Sequence, residues 1–274
     1  MKALLVESHE IAPDVRHFVF EVPEVINNID SLNVEAIDGS GTSYTVTVRN
    51  VSKKNVFGIE WRGDGNVRPP TGGRQRGARL IPAGKRYQIH SLFPTFGKKR
   101  NDDSPPEPKQ PRQIVFTSIL FEDGSFEGET DAAAAMAANS LGESLQVSRL
   151  LQMLETAAAS KGDQATTLAK LVADVDALAE NADPEMASKL LMRFPGVSDE
   201  VAQRIVLKEL NAGLKSTKTN FRNDLRRFAY QQTHVETKEQ TKTKPTDHKI
   251  KKQDLRSWLT ESIDKLKKMK SPYL

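Results

Sequence analysis

Six cations fall within residues 68–86: Arg68, Arg74, Arg76, Arg79, Lys85 and Arg86. Guanidinium forks match phosphate and carboxylate oxygens, so the chemistry such a set offers is anion binding. The same residues also make a solvated loop soluble with no ligand at all. Over residues 62–86 seven basic residues face one acid, Asp64. A second set lies near the end of the chain. Arg256, Lys265, Lys267 and Lys268 accompany Trp258 and Leu259, which reads as a basic amphipathic helix with an aromatic anchor. Such a face packs on the chain's own helices, or meets an acidic partner, a membrane surface or nucleic acid. The tail lacks the interleaved aromatics of a base-stacking surface, which lowers the last reading.

Other chemistries find no constellation. The chain has no cysteine, which removes disulfides, thiol catalysis and thiolate metal sites. The five histidines, His9, His17, His90, His234 and His248, form no metal-ligand pair. Nucleophile elbow, P-loop and zincin motifs are missing. Glu122, Asp123, Glu127 and Glu129 surround a glycine turn and read as a solvated hairpin tip. No residue is assigned to catalysis, to a cofactor or to a metal. Arg62-Gly63-Asp64 and the sequon Asn50-Val51-Ser52 are short matches of little weight.

The elements that carry these residues differ in charge. Residues 1–130 balance 17 basic against 17 acidic residues. Residues 131–203 carry 5 against 11, and residues 204–274 carry 18 against 8. A net charge of +4 therefore conceals an acidic helical block followed by a basic one. Hydrophobic content is 37% and charged content 28%, so part of the chain is expected to stay unpacked. No run reaches the length of a membrane span. The short apolar start suggests a cytoplasmic protein, or an exported one whose signal peptide has been removed.

Residues 33–128 read as short alternating strands between turn signals, the pattern of an antiparallel β-sandwich. Tyr44, Val46 and Val48 alternate with polar residues, as do Phe57, Ile59 and Trp61. Residues 113–121 are apolar enough for a central strand. Two long loops interrupt the pattern, 62–86 and a Pro-rich stretch at 97–112. The order of Asn-x-Ser turn, aromatic strand, Ile-Pro-Ala-Gly-Lys (81–85) and Phe-Glu-Asp-Gly-Ser-Phe-Glu-Gly (121–128) resembles bacterial immunoglobulin-like domains that precede helical segments. That resemblance implies a fold and no activity.

Residues 3–21 alternate, with Ala12-Pro13-Asp14 as the expected turn between two strands, and the stretches Ala3–Ser8 and Ile11–Pro23 resemble the opening hairpin of ferredoxin reductase-type FAD-binding domains over about the first 24 residues. The resemblance implies a flavin. The family's later Arg-x-Tyr-Ser/Thr motif and its glycine-rich nicotinamide turn have no counterpart in this chain. A hairpin without its phosphate and isoalloxazine contacts carries no flavin, so a flavin-dependent reductase fragment stands only as a distant alternative.

From residue 131 the periodicity is helical. Asp131 is the expected N-cap of an alanine-rich helix that stops at Gly162. Asp163 caps the next, whose Leu168, Leu171, Val175 and Leu178 form a packing seam. Asp183-Pro184 starts a third, with Leu190, Leu191 and Phe194 on its buried face. Pro195-Gly196-Val197, Ala202 and Ile205 are similar to the helix–hairpin–helix DNA-binding motif. Ser198 stands where a second glycine belongs, and Asp199 and Glu200 would repel a phosphate. The preferred reading is a plain turn, with Ser198 capping a helix to about residue 232 that has Gly213 as its weak point. The expected organisation is segregated α+β. An N-terminal hairpin (1–24) precedes an immunoglobulin-like antiparallel sandwich (33–128) and a helical region (131–232). A linker (233–251) and a basic amphipathic helix (252–270) complete it. The expected function is a non-enzymatic protein-interaction or structural module, with nucleic-acid or polyanion binding as the alternative.

Overall fold

The computed structural model describes residues 22–40, 43–63, 81–92, 113–197, 200–234 and 254–269. The chain is mixed α+β, with strands in two sheets followed by helices. One sheet pairs β2 (Leu32–Ser40), β3 (Ser43–Asn50) and β5 (Arg86–Leu92), all antiparallel. The other is built on β6 (Gln113–Phe121). One edge of β6 pairs with β4 (Val56–Gly63). The opposite edge is shared, with β1 (Glu24–Asn27) on its first half and β7 (Phe126–Gly128) on its second.

Two expectations change here. Pairing begins at Glu24, not at residue 33, and β1 lies parallel to β6, so the sheets are not wholly antiparallel. The physical reason is local. Ile29 and Leu32, 1% and 2% exposed, anchor this turn in the core and swing β1 onto the free half of β6. Residues 1–21, and with them the flavoprotein-like hairpin, lie outside the described residues.

The two sheets share one apolar core. Val46, Val48 and Ile89 come from the first sheet, and Ile59, Trp61, Ile114 and Phe116 from the second. The second sheet is covered on its other face as well. Leu120, Phe57 and Phe126 pack there against Ala133, Ala134 and Ala137 of α1 (Thr130–Ala159). A strand buried on both faces reads as a continuous apolar run, which is why residues 113–121 do not alternate. The expected alternation of Phe57 with Ile59 and Trp61 fails for a related reason. Register shifts at Val56/Gly58 and Glu60/Trp61 change the phase of β4. Val56, Ile59 and Trp61 consequently face the inter-sheet core, while Phe57 faces the helices.

The tip of the β6–β7 hairpin is held by charge. Lys54 Nζ lies 2.7 Å from Asp123 Oδ2, and Ser125 donates to the same carboxylate. The Lys54 hydrogen bond, then those from Ser125, holds the Asp123 pKa down to about 2. A depressed carboxylate contributes stability above its unfolded pKa and loses it as pH falls through the folded value. The pair is half exposed, so Asp123→Asn is expected to cost under about 1 kcal/mol at pH 7. A carboxyl titration by NMR should find Asp123 still ionised at pH 3, and the cost of the substitution should shrink between pH 4 and pH 2.

Five helices follow among the described residues: α1, then α2 (Gln164–Ala177), α3 (Pro184–Leu191), α4 (Glu200–His234) and α5 (Leu255–Met269). Asp163 and Asp183 cap α2 and α3 by accepting from Thr166 N and Glu185 N. Asp131 is not the cap of α1. Glu129 takes that position and makes no side-chain capping bond; its carboxylate pairs with Arg62 instead. α4 begins at Glu200, with residues 198–199 outside the described set, and runs to His234.

α1 and α4 run side by side in the same direction. Asn139 Nδ2 donates to Glu209 O at a sequence separation of 70 residues. Ala133 and Ala137 pack with Ala202, Val206 and Leu210, and farther along Leu150 and Leu154 pack with Phe221, Leu225 and Phe228. Gly213 is no weak point. A Cβ there would lie 2.2 Å from Asn139 O, and one on Gly142 would lie 2.1 Å from Leu210 O. The two helices cross backbone to backbone at this pair of glycines, as small residues permit. All residues from Ala132 to Asn139 are buried, so the first half of α1 is the central rod between sheet and helices.

Candidate functional site

Helix α4 needs 35 residues because it must line the whole length of α1 and then continue past it. One of its faces carries Leu210, Leu214, Phe221, Leu225 and Phe228 into the core. Asp254 caps α5, accepting from Ser257 N at 3.0 Å and Ser257 Oγ at 2.7 Å. Those bonds lower the Asp254 pKa. Leu255, Leu259 and Leu266 of α5 are buried against Val147, Leu150 and Leu154 of α1 and against Phe221 and Phe228 of α4. The Trp258 ring stacks on Phe228 at 4.8 Å and meets Phe221 at 6.0 Å.

This arrangement decides where the C-terminal candidates lie. Leu259 is 1% exposed inside the chain's own helical core. Trp258 is half-buried between two phenylalanines. Lys265 Nζ is 2.9 Å from Asp224 Oδ2, and Lys267 Nζ is 3.5 Å from Glu155 Oε1 on α1. Arg256 and Lys268 are exposed. The basic helix thus sits on both α1 of the acidic block and α4 of the basic one, apolar face inward, with one lysine on a carboxylate of each.

The candidates of the β region are divided. Arg68, Arg74, Arg76 and Arg79 lie outside the described residues. Lys85 is exposed at the turn before β5. Arg86 pairs with Glu35 at 2.5 Å, and Arg49 approaches the same carboxylate at 3.8 Å. One carboxylate therefore partly neutralises two guanidiniums. The sequon residue Asn50 is 0% exposed. Its Nδ2 donates to Lys54 O at 2.7 Å and to Ile81 O at 2.9 Å, while its Oδ1 accepts from Ser52. Both amide hydrogens are engaged, so Asn50 is a structural pin of the turn and not an acceptor for glycan in the folded chain. The loop 97–112 and the linker at 235–251 fall outside the described residues.

One hollow was not anticipated. It is a groove of about 800 Å³ between α4 and α5, with Glu143 of α1 at one side. Phe221, Phe228, Trp258, Leu266 and Met269 give it an apolar floor. One face of α4 forms the wall: Ser216, Asn220, Asn223, Arg227 and Gln231, spaced four, three, four and four residues apart. Those steps keep one stripe of a helix. Asn220, Asn223, Arg227 and Gln231 are exposed and make no side-chain hydrogen bond to described residues. The stripe was legible only as polar positions on an amphipathic helix. Nothing in the sequence says that α5 would lie across from it.

Among the described residues no group of three or more His, Asp and Glu side chains is arranged to hold a metal ion, and no helix is long and apolar enough to cross a membrane. A separate apolar exposure lies at the α3–α4 corner, where Met192 is 79% and Val201 50% exposed. Compared with known proteins, the chain matches no family model, no curated protein and no solved structure.

Proposed function

We propose that the chain is a non-enzymatic protein-interaction module, with an immunoglobulin-like sandwich as its rigid body and the helical region as its binding part. The division of strands supports the sandwich reading. β2, β3 and β5 lie in one sheet and β4, β6 and β7, joined by the parallel β1, in the other; β1 aside, that is the partition of the A, B, E and C, F, G strands of that architecture. The observation that carries the interaction reading is the α4–α5 groove. Its aromatic floor and its uncommitted polar wall are the composition of a recognition site, apolar area for affinity and placed polar groups for orientation. The polyanion alternative finds less support, because Arg86, Lys265 and Lys267 already face carboxylates.

A photo-crosslinking amino acid placed singly at Gln231 in the groove and at Met192 on the α3–α4 corner tests this reading in the host cell. The expected result is discrete protein adducts from at least one position, insensitive to nuclease. Adducts that are nucleic acid, or no adduct from either position, would overturn it. A fluorescent single-stranded oligonucleotide should bind weakly. Its affinity would have to fall steeply between 50 and 200 mM salt for the polyanion reading to gain ground.

A further inference from the structure

We infer that the outward face of α4 binds an acidic helix of a partner protein, along a seam where cations alternate with small or apolar residues. Such binding presupposes the protein-interaction reading above but not the groove, which lies on another face of the helix.

The buried side of α4 carries Val206, Leu210, Phe221, Leu225 and Phe228. A helix turns by about 100° per residue. Five of the seven Lys and Arg residues of α4 therefore fall within about 40° of one line on its far side: Arg204, Lys208, Lys215, Arg222 and Arg226. The line is about 33 Å long. Glu209 and Asp224, the acids within that length of α4, lie off it. Two carboxylates border this face, and both are already engaged, Asp176 by Arg226 and Glu180 by Lys218. Lys208, Lys215 and Arg222 make no ion pair among the described residues. Three uncompensated cations in a row complement an acidic ligand.

Spacing selects a helix as that ligand. Ile205, Lys208, Ala212, Lys215, Thr219 and Arg222 follow one another by steps of three, four, three, four and three residues. Those are the steps by which one helix packs along another. One seam position is basic throughout, and the other is uncharged throughout. The cations recur every seven residues, about 10.5 Å. A partner helix with Asp or Glu at every seventh residue repeats at the same length, so all three cations meet a carboxylate whichever way the partner runs. Ile205 is 42% exposed, while Ala212 and Thr219 are half-buried and small, which lets a second helix come close. A phosphate backbone would meet the cations but gain nothing from Ile205, Ala212 and Thr219. Exposed ion pairs are weak singly, so the row of them acts together with the contacts between.

The test uses the full chain and a displayed library of 24-residue helices, their seam positions varied among Asp, Glu, Gln, Lys, Ala and Leu. The wild-type protein should enrich helices with Asp or Glu at seven-residue intervals and Ala or Leu between. Synthetic copies should bind Lys208→Glu/Lys215→Glu at least tenfold more weakly. Copies with Lys in place of the acids should prefer that variant to the wild type. Both lysines are exposed, and glutamate forms helix as well as lysine does, so the thermal midpoint should hold. Lys208→Gln/Lys215→Gln adds no repulsion and should fall between the two. No enrichment, enrichment without the spaced acids, or equal binding to all three proteins would overturn the inference. So would a single-stranded oligonucleotide or a phosphatidylserine vesicle that binds the wild type more tightly than the helices do and the glutamate variant less. Crosslinks from Gln231 or Met192 do not depend on this seam, so the wider interaction reading stands or falls separately.

Discussion

Replacing Gly142 or Gly213 with alanine is expected to lower the thermal midpoint by about 5–10 °C, near 2 kcal/mol or more at a few degrees per kcal/mol. The new Cβ atoms would lie 2.1 and 2.2 Å from the carbonyl oxygens of Leu210 and Asn139. Backbone cannot rotate away as a side chain can, so α1 and α4 must separate. Separation loosens close packing on both sides of the crossing, at Leu210 and Leu214 on α4 and around the alanines of α1. Alanine's better helix propensity returns only about 1 kcal/mol. Gly162→Ala is the control. Its Cβ would meet nothing nearer than Ser160 Oγ at 3.3 Å, and its midpoint should hardly move. Calorimetry on the three variants checks the contrast. Equal midpoints for all three would remove the glycine crossing from the account.

Lys218→Met should cost about 2–3 kcal/mol in denaturant unfolding. The Lys218 side chain is 7% exposed, yet its ammonium is fully satisfied. It donates to Asp176 O at 2.9 Å and to Leu178 O at 2.8 Å, and it pairs with Glu180 Oε1 at 3.1 Å. The first two oxygens belong to the end of α2, where carbonyls have no partner inside the helix and a cation is favoured. Methionine fills the same volume and leaves both carbonyls without that donor. Glu180 is 36% exposed and would turn to water, which keeps the cost below that of a wholly buried broken pair. Hydrogen exchange resolves the effect in space. Protection should fall first at the end of α2 and around Ala182, whose amide donates to Asn211 Oδ1 at 2.7 Å. Uniform loss across the chain would contradict this placement.

What could be read in advance was local. Asp163, and Asp183 with Pro184, announce helix starts because a cap is settled within three residues. Leu255, Leu259 and Leu266 announce a buried face because their spacing matches a helix turn. The errors lie where distant segments decide. The phase of β4 depends on two bulges whose partner is β6, some 60 residues away. Gly213 reads as a defect until α1 is placed against it. The groove combines α4 stripe residues with α5 residues across a stretch of chain that carries no pattern. Asn220 and Gln231 are ordinary surface residues until the opposite wall exists.

The shared direction of α1 and α4 bears on how the chain acquires its structure. Antiparallel neighbours close like a zipper from the turn that joins them. A same-direction pair has no such turn, and its first favourable contact spans 70 residues. Closing that large a loop must be compensated by many contacts formed nearly at once, which slows folding relative to simple bundles. On the ribosome α1 emerges long before its partner. Its alanine-rich first half can meanwhile rest on the sheet already made. The two sheets would then serve as a template on which the helical half is assembled.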